Sequence, residues 1–132
     1  MDIREELGRR IIFFDGGLGS LLQERGLKPG ELPETWNLTR PEVLYDIHRA
    51  YLDAGADIIL ANTFGANGFK YDNLEEIVTA AVVNAKKAVA DSGRKAYVAL
   101  DMGPTGKLLK PMGTLDFEEC VSTVSYTHLR AH

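Results

Sequence analysis

The chain has 132 residues, the size of one small domain, with 45% hydrophobic and 26% charged residues and a net charge of −4. No basic cluster exceeds Lys86-Lys87 or Arg94-Lys95, which argues against a nucleic-acid partner, and no apolar run approaches the ~20 residues that span a bilayer, which argues against a membrane role. The charged start (Met1-Asp2-Ile3-Arg4-Glu5-Glu6) has no apolar segment behind it, and the single cysteine, Cys120, cannot close an internal disulfide; both point to a reducing cytoplasm.

Residues 2–9 read as a short helix, with Ile3 and Leu7 on one face. Ile11, Ile12, Phe13 and Phe14 form a β-branched and aromatic run, the pattern of a short buried strand. It ends in Asp15-Gly16-Gly17, after which Leu18, Leu21 and Leu22 set a helical spacing closed by Gly26. A carboxylate beside two glycine amides near a helix N-terminus complements the ammonium and carboxylate of an amino acid; the same residues also suit a plain strand-to-helix turn.

Residues 27–38 read as a loop carrying Glu34-Thr35-Trp36-Asn37, with Trp36 a candidate hydrophobic plug over one end of the sheet. Thr39-Arg40-Pro41-Glu42 matches a capping box with Thr39 as N-cap, followed by a stripe of Val43, Ile47, Ala50, Tyr51 and Ala54 and a stop at Gly55. His48 falls beside that stripe, where a structural or solvent-facing role is expected.

Residues 56–61 are a second apolar strand, ending in Asn62-Thr63-Phe64-Gly65. Asn73 caps the next helix, with Glu76 at N3 and an apolar stripe from Leu74 to Val89 that closes at Gly93. Residues 96–100 are a third strand, ending in Asp101-Met102-Gly103-Pro104-Thr105-Gly106, and Asp116 opens a last helix. Strand and helix thus alternate three times, the signature of βαβ units with a parallel sheet. A (β/α)₈ barrel and an open doubly wound sheet both fit. In either, the loops that open with Asp15, Asn62 and Asp101 converge on one side.

Motif logic adds little beyond this. The glycines after Asp15 lack the dinucleotide spacing and a Walker lysine, and Gly103-Pro104-Thr105-Gly106-Lys107 only superficially matches a phosphate loop. No C-x-x-C or H-E-x-x-H occurs.

Four ordered blocks are more specific: Phe14-Asp15-Gly16-Gly17-Leu18-Gly19-Ser20; Thr39-Arg40-Pro41-Glu42-Val43 through Tyr51; Ala54-Gly55-Ala56-Asp57-Ile58-Ile59 with Asn62-Thr63-Phe64-Gly65-Ala66-Asn67; and Gly103-Pro104-Thr105-Gly106. Over about residues 8–123 the chain resembles the N-terminal part of the homocysteine S-methyltransferase domain, nearest the first module of the cobalamin-dependent bacterial members. The resemblance implies a parallel (β/α)₈ TIM barrel of which about three βα units are present, and a methyltransferase that alkylates the zinc-bound thiolate of homocysteine. It implies substrate contacts at Asp15, Gly16, Gly17, Asn62, Thr63, Gly103, Pro104 and Thr105.

The resemblance also implies zinc, whose cysteine ligands lie on later strands, with cobalamin and methyltetrahydrofolate carried as methyl donors on other modules. None of those segments is in this sequence, and Cys120 matches no metal position, so the chain is expected to be inactive by itself. Residues 124–132 do not continue the amphipathic pattern begun at Phe117. They resemble the in-frame translation of a transposase-adapter sequence, which leaves His128 and His132 outside any functional reading. Two alternatives to the methyltransferase reading remain: a small nucleotide- or phosphate-binding α/β module, or a non-functional truncated reading frame.

Overall fold

The computed structural model describes residues 2–131, so His132, in the expected tail, lies outside the described residues. Two strands, β1 (Ile58–Ala61) and β2 (Tyr97–Leu100), pair in parallel, with Ile58 opposite Tyr97 and Ala61 opposite Leu100. Between them runs a 19-residue helix, which we label α5 (Leu74–Ser92); the earlier helices are α1 (Ile3–Glu6), α2 (Gly19–Glu24), α3 (Trp36–Thr39) and α4 (Pro41–Asp53). The last is α6 (Phe117–Arg130).

The expected first strand is reduced to a parallel bridge. Phe14 pairs with Ile58, the Asp57 and Ile58 amides donate to the Phe13 carbonyl, and the Asp15 amide donates to the Ile58 carbonyl. Residues 13–15 therefore lie beside β1, parallel to it, at the edge of the sheet. The expectation of a buried strand is corrected here: Ile11 is 74% exposed and Phe13 and Phe14 about as much as each other at 59% and 60%. Among the described residues nothing pairs with the outer edge of this segment, and its pairing with β1 is limited to one bridge.

Helix ends follow glycine as expected, but the N-caps do not follow the capping boxes. Gly55 and Gly93 sit just past α4 and α5 with φ of +108° and +68°, a conformation that costs glycine nothing. Arg40, not Thr39, is the N-cap of α4, and the Thr39 hydroxyl donates to the Thr35 carbonyl instead. Residues 36–38, expected as the end of a loop, already form the helical turn α3, which draws the expected N-cap Thr39 into it. Asn73 and Asp116 do stand at the N-caps of α5 and α6, but neither side chain caps: Asn73 reaches the Glu76 carboxylate and Asp116 pairs with Lys110 at 2.7 Å.

The core has three parts. Leu52, Ala56, Ile59, Ala61, Ala81, Ala85 and Ala88 pack α4 and α5 against β1; the alanines let the helices approach the sheet closely. Trp36 packs with Leu22, Leu27, Val43, Leu44 and Ile47, its indole N–H donating to Glu31 and its face covered by Arg40 at 4.4 Å. It is a core residue between helices, not a plug over the sheet. The buried stripe of α4 includes Leu44, His48 and Leu52, whereas Ala50 and Ala54 of the expected stripe are exposed. His48 is thus inside the packed face, and burial pushes its imidazole down to about 4, so it stays neutral at pH 7.

A third cluster joins Ala66, Tyr71, Ile77 and Val78, with Tyr126 of α6 against it. α6 runs on through residue 130, with Thr123 and Thr127 buried and the Thr127 hydroxyl donating to the Ala66 carbonyl. The break in amphipathic pattern after Thr123 therefore does not end the helix: Thr123 and Thr127 face the loop at Ala66–Gly68, and Tyr126 meets Thr79 of α5. No helix among the described residues is long and apolar enough to cross a membrane.

Below the strands, opposite the converging loops, charges replace a hydrophobic floor. Glu6 is buried and accepts from Arg10, from Lys95 at 2.5 Å and from the Tyr97 hydroxyl at 2.8 Å, and Arg10 continues to Asp57 at 3.0 Å. These donors hold the Glu6 carboxyl well below its usual value, at about 2, and the Arg10 guanidinium lowers Asp57 likewise.

Candidate functional site

Parallel strands deliver their C-terminal ends to one side, and there the chain forms a cleft of about 360 Å³. That is at the small end of the ~300–1,000 Å³ common for ligand pockets. Asp15, Gly16, Gly17, Leu18, Gly19 and Leu22 form one wall, Leu60 to Phe64 another, and Pro33, Glu34 and Asp101 complete it. Three carboxylates line it, and no lysine, arginine or histidine does.

Asp15 is held by one oxygen only. Its Oδ2 accepts from the Leu60 amide at 2.9 Å, while Oδ1 is buried without a partner. Burial, opposed by the Leu60 hydrogen bond and reinforced by the nearby Asp101 charge, raises its pKa above the ordinary carboxylate value. An acid in this state is stabilised by any cation that reaches Oδ1. The Gly16 and Gly17 amides make no hydrogen bond among the described residues. The turn they occupy is set from behind by Tyr51, whose hydroxyl donates to the Gly17 carbonyl at 2.7 Å; a Cβ on Gly16 would stand 2.9 Å from that hydroxyl. Sequence reasoning placed Tyr51 only in the apolar stripe of α4. Its hydroxyl was the unused signal.

Asn62 and Thr63 line the cleft, with the Asn62 amide nitrogen and the Thr63 hydroxyl spent on the fold. Asn62 Nδ2 donates to the Pro33 carbonyl and to Asn37 Oδ1, and Asn37 Nδ2 returns to the Asn62 carbonyl. The Thr63 hydroxyl donates to the Asp101 carbonyl at 2.7 Å and accepts from the Asp101 amide at 2.9 Å, clasping the ends of β1 and β2. Gly103, Pro104 and Thr105 do not line the cleft. The Gly103 amide donates to the Phe64 carbonyl, Pro104 is exposed and has no amide to give, and the Thr105 hydroxyl turns to Lys107. The third strand's contribution is Asp101 itself, which opens the loop. Glu34 was missed as a wall residue; a lone charged residue in a polar loop carries no sign that it will be buried.

The family profile described as homocysteine S-methyltransferase matches residues 12–131. The chain belongs to the homocysteine S-methyltransferase family. It is 37% identical to the methionine synthase of Mycobacterium leprae over 125 residues, and 34% identical to that of Mycobacterium tuberculosis over 122. Each match takes in 81% of this chain and 10% of the relative, so the chain spans about a tenth of those proteins' length. The crystal structure of the homocysteine methyltransferase MmuM from Escherichia coli, metallated form, superposes with a TM-score of 0.65 at 22% identity, covering 79% of this chain and 42% of that one. Its oxidized form gives 0.63 at 23%, over 79% and 41%. These likenesses establish a shared α/β fold with parallel strands.

A homocysteine S-methyltransferase of the expected type needs a zinc site, and the residues here do not fit one. Among the described residues no group of three or more His, Cys, Asp and Glu side chains is placed to hold a metal, and Cys120 sits half-buried on α6, outside the cleft lining. What this segment of the family supplies is an anion-lined cleft with free backbone amides at one end.

Proposed function

We propose that this chain is the substrate-anchoring, N-terminal part of a (β/α)₈ homocysteine S-methyltransferase barrel, and that its cleft holds homocysteine by the groups common to all α-amino acids. Asp15 takes the ammonium on its open oxygen, and the Gly16 and Gly17 amides take the carboxylate. Asn62 and Thr63 shape the wall through the bonds they make to Pro33, Asn37 and Asp101, and Gly103, Pro104 and Thr105 support it from outside. The observation that carries the reading is the lone buried oxygen of Asp15 beside two unpaired amides.

Activation of the thiol would come from zinc held elsewhere in the whole protein, and the methyl group from a donor such as methylcobalamin recharged by methyltetrahydrofolate on other modules. The methionine synthase relatives support that setting, as the single thiol supports a cytoplasmic one. The same proposal takes residues 124–132 as an adapter-derived tail, which the native gene sequence past Thr123 tests.

Charge favours this reading over a nucleotide- or phosphate-binding module. A cleft with three carboxylates and no cationic side chain repels phosphate and attracts ammonium. Ligand-detected NMR on the chain with L-homocysteine and with ATP decides between them. Saturable homocysteine binding with none for ATP is expected; the reverse would sink the proposal.

A further inference from the structure

Phe64 stands just past β1 between two buried neighbours, Thr63 and Gly65, yet the residue is 57% exposed and belongs to none of the three core clusters. A single exposed apolar side chain needs no explanation. One held as firmly as this does. The Gly65 amide donates to Glu34 Oε1 at 2.5 Å, and the Phe64 carbonyl accepts from the Gly103 amide at 2.9 Å. The ring lies on Gly103, where a Cβ would stand 2.9 Å from ring atoms and 2.5 Å from the Phe64 carbonyl oxygen. A Cβ on Gly65 would stand 2.8 Å from Glu34 Oε1. Glu34 is itself buried and fixed by the Tyr71 hydroxyl at 2.7 Å on its other oxygen. A buried carboxylate, a tyrosine and two glycines thus fix one residue whose ring the core does not use. Phe64 is one of the residues that line the cleft.

We propose that Phe64 is the specificity-determining wall of the cleft, against which the side chain of the bound amino acid packs, and that Glu34 is the positioning residue that sets it. The inference rests on the reading of the cleft as a homocysteine site and extends it. Asp15 and the glycine amides bind groups that every α-amino acid carries, so they cannot discriminate. An aromatic face can. It welcomes a polarizable sulfur, and it strips water from a hydroxyl without replacing it. Phe64 therefore selects the sulfur side chain over its oxygen isostere.

The test is the ratio of dissociation constants for reduced L-homocysteine and L-homoserine, measured on the full chain by ligand-detected NMR. The wild type should prefer homocysteine by about fivefold or more, in the range of single-group discrimination in apolar pockets. Phe64→Ala should bring the ratio within about twofold of one, and Phe64→Leu should keep an intermediate preference, since it retains apolar contact without the aromatic face. Glu34→Ala should lose the preference and Glu34→Gln, which keeps an oxygen for the Gly65 amide, should restore it. Asp15→Asn should weaken both ligands alike and leave the ratio intact. Phe64→Ala with an unchanged ratio, in a variant whose circular dichroism melt matches the wild type, would overturn the proposal while leaving the Asp15 anchor standing. Absence of binding to either amino acid by the wild type would overturn both.

Discussion

Replacing Asp15 by Asn separates a functional carboxylate from a structural one, because the two roles predict opposite effects on stability. In the empty cleft the charge is costly: Oδ1 is buried without a partner and Asp101 adds like charge. A carboxyl whose folded pKa is raised favours folding only while protonated, below its unfolded value near 3.8, and loses that contribution as pH rises through the folded pKa. At pH 7 the ionised form is therefore a burden, which Asn removes. Asn also keeps an oxygen for the Leu60 amide. The expected change in stability is zero or a small gain, read as an unchanged or raised thermal midpoint.

Binding moves the other way. A hydrogen bond to a charged group is worth about 1.5–3 kcal/mol, and at ~1.4 kcal/mol per decade the variant should bind homocysteine roughly 10- to 150-fold more weakly. Wild-type affinity should also fall as pH drops through the raised pKa of Asp15, and the variant should lack that dependence. Calorimetric or NMR titration alongside thermal melts gives both numbers. Unchanged affinity would remove Asp15 from the anchor, and a large loss of stability would make it a structural residue.

Three further outcomes follow from the surrounding structure. Thr63→Val deletes the clasp to both backbone groups of Asp101 and should cost about 1–3 kcal/mol in urea unfolding, whereas Thr63→Ser should cost little. Trp36→Ala empties the helical core cluster and should cost about 3–5 kcal/mol by the same measurement. Acid should weaken the fold between pH 4.5, the ordinary value for Glu6, and about 2, its value in the fold: a depressed carboxylate stabilises above its unfolded pKa and loses that contribution as pH falls. Glu6→Gln should flatten thermal midpoint against pH across that window, and an equal slope in both proteins would contradict the network.

Periodicity made the long elements legible. The α5 stripe through Ile77, Val78, Ala81, Ala85 and Ala88 is buried as its spacing implies, and β1 and β2 fall inside the expected strands with one or two residues trimmed. What failed were features decided by neighbours distant in sequence. Ile11, Phe13 and Phe14 have strand-forming side chains, but they stand exposed at the sheet edge, where the pairing among the described residues is one bridge from Phe14 to Ile58. Thr39 and Asp116 have capping side chains, but the preceding helical turn and Lys110 reach them first. For the cleft, local sequence singled out Asp15 and the two glycines, which line it, because backbone conformation and charge coincide there. It could not tell that Asn62 and Thr63, equally polar at the next strand end, would spend themselves on Asn37 and Asp101.

That difference between strand ends is the physical basis of the assignment. Three strand-end segments bring polar side chains to one cleft, and at two of them the fold ties down a side-chain amide, a hydroxyl or the backbone. Asn62 is tied to Asn37 and Pro33, and the backbone of Asp101 is tied to Thr63. Satisfied groups stabilise the rim and have nothing left to offer a ligand. Asp15 is the one of the three that keeps a buried oxygen with no partner among the described residues, and burial raises its pKa. In the proposed reading an α-ammonium from outside the chain partners that buried oxygen, and its carboxylate, two bonds away, meets the Gly16 and Gly17 amides.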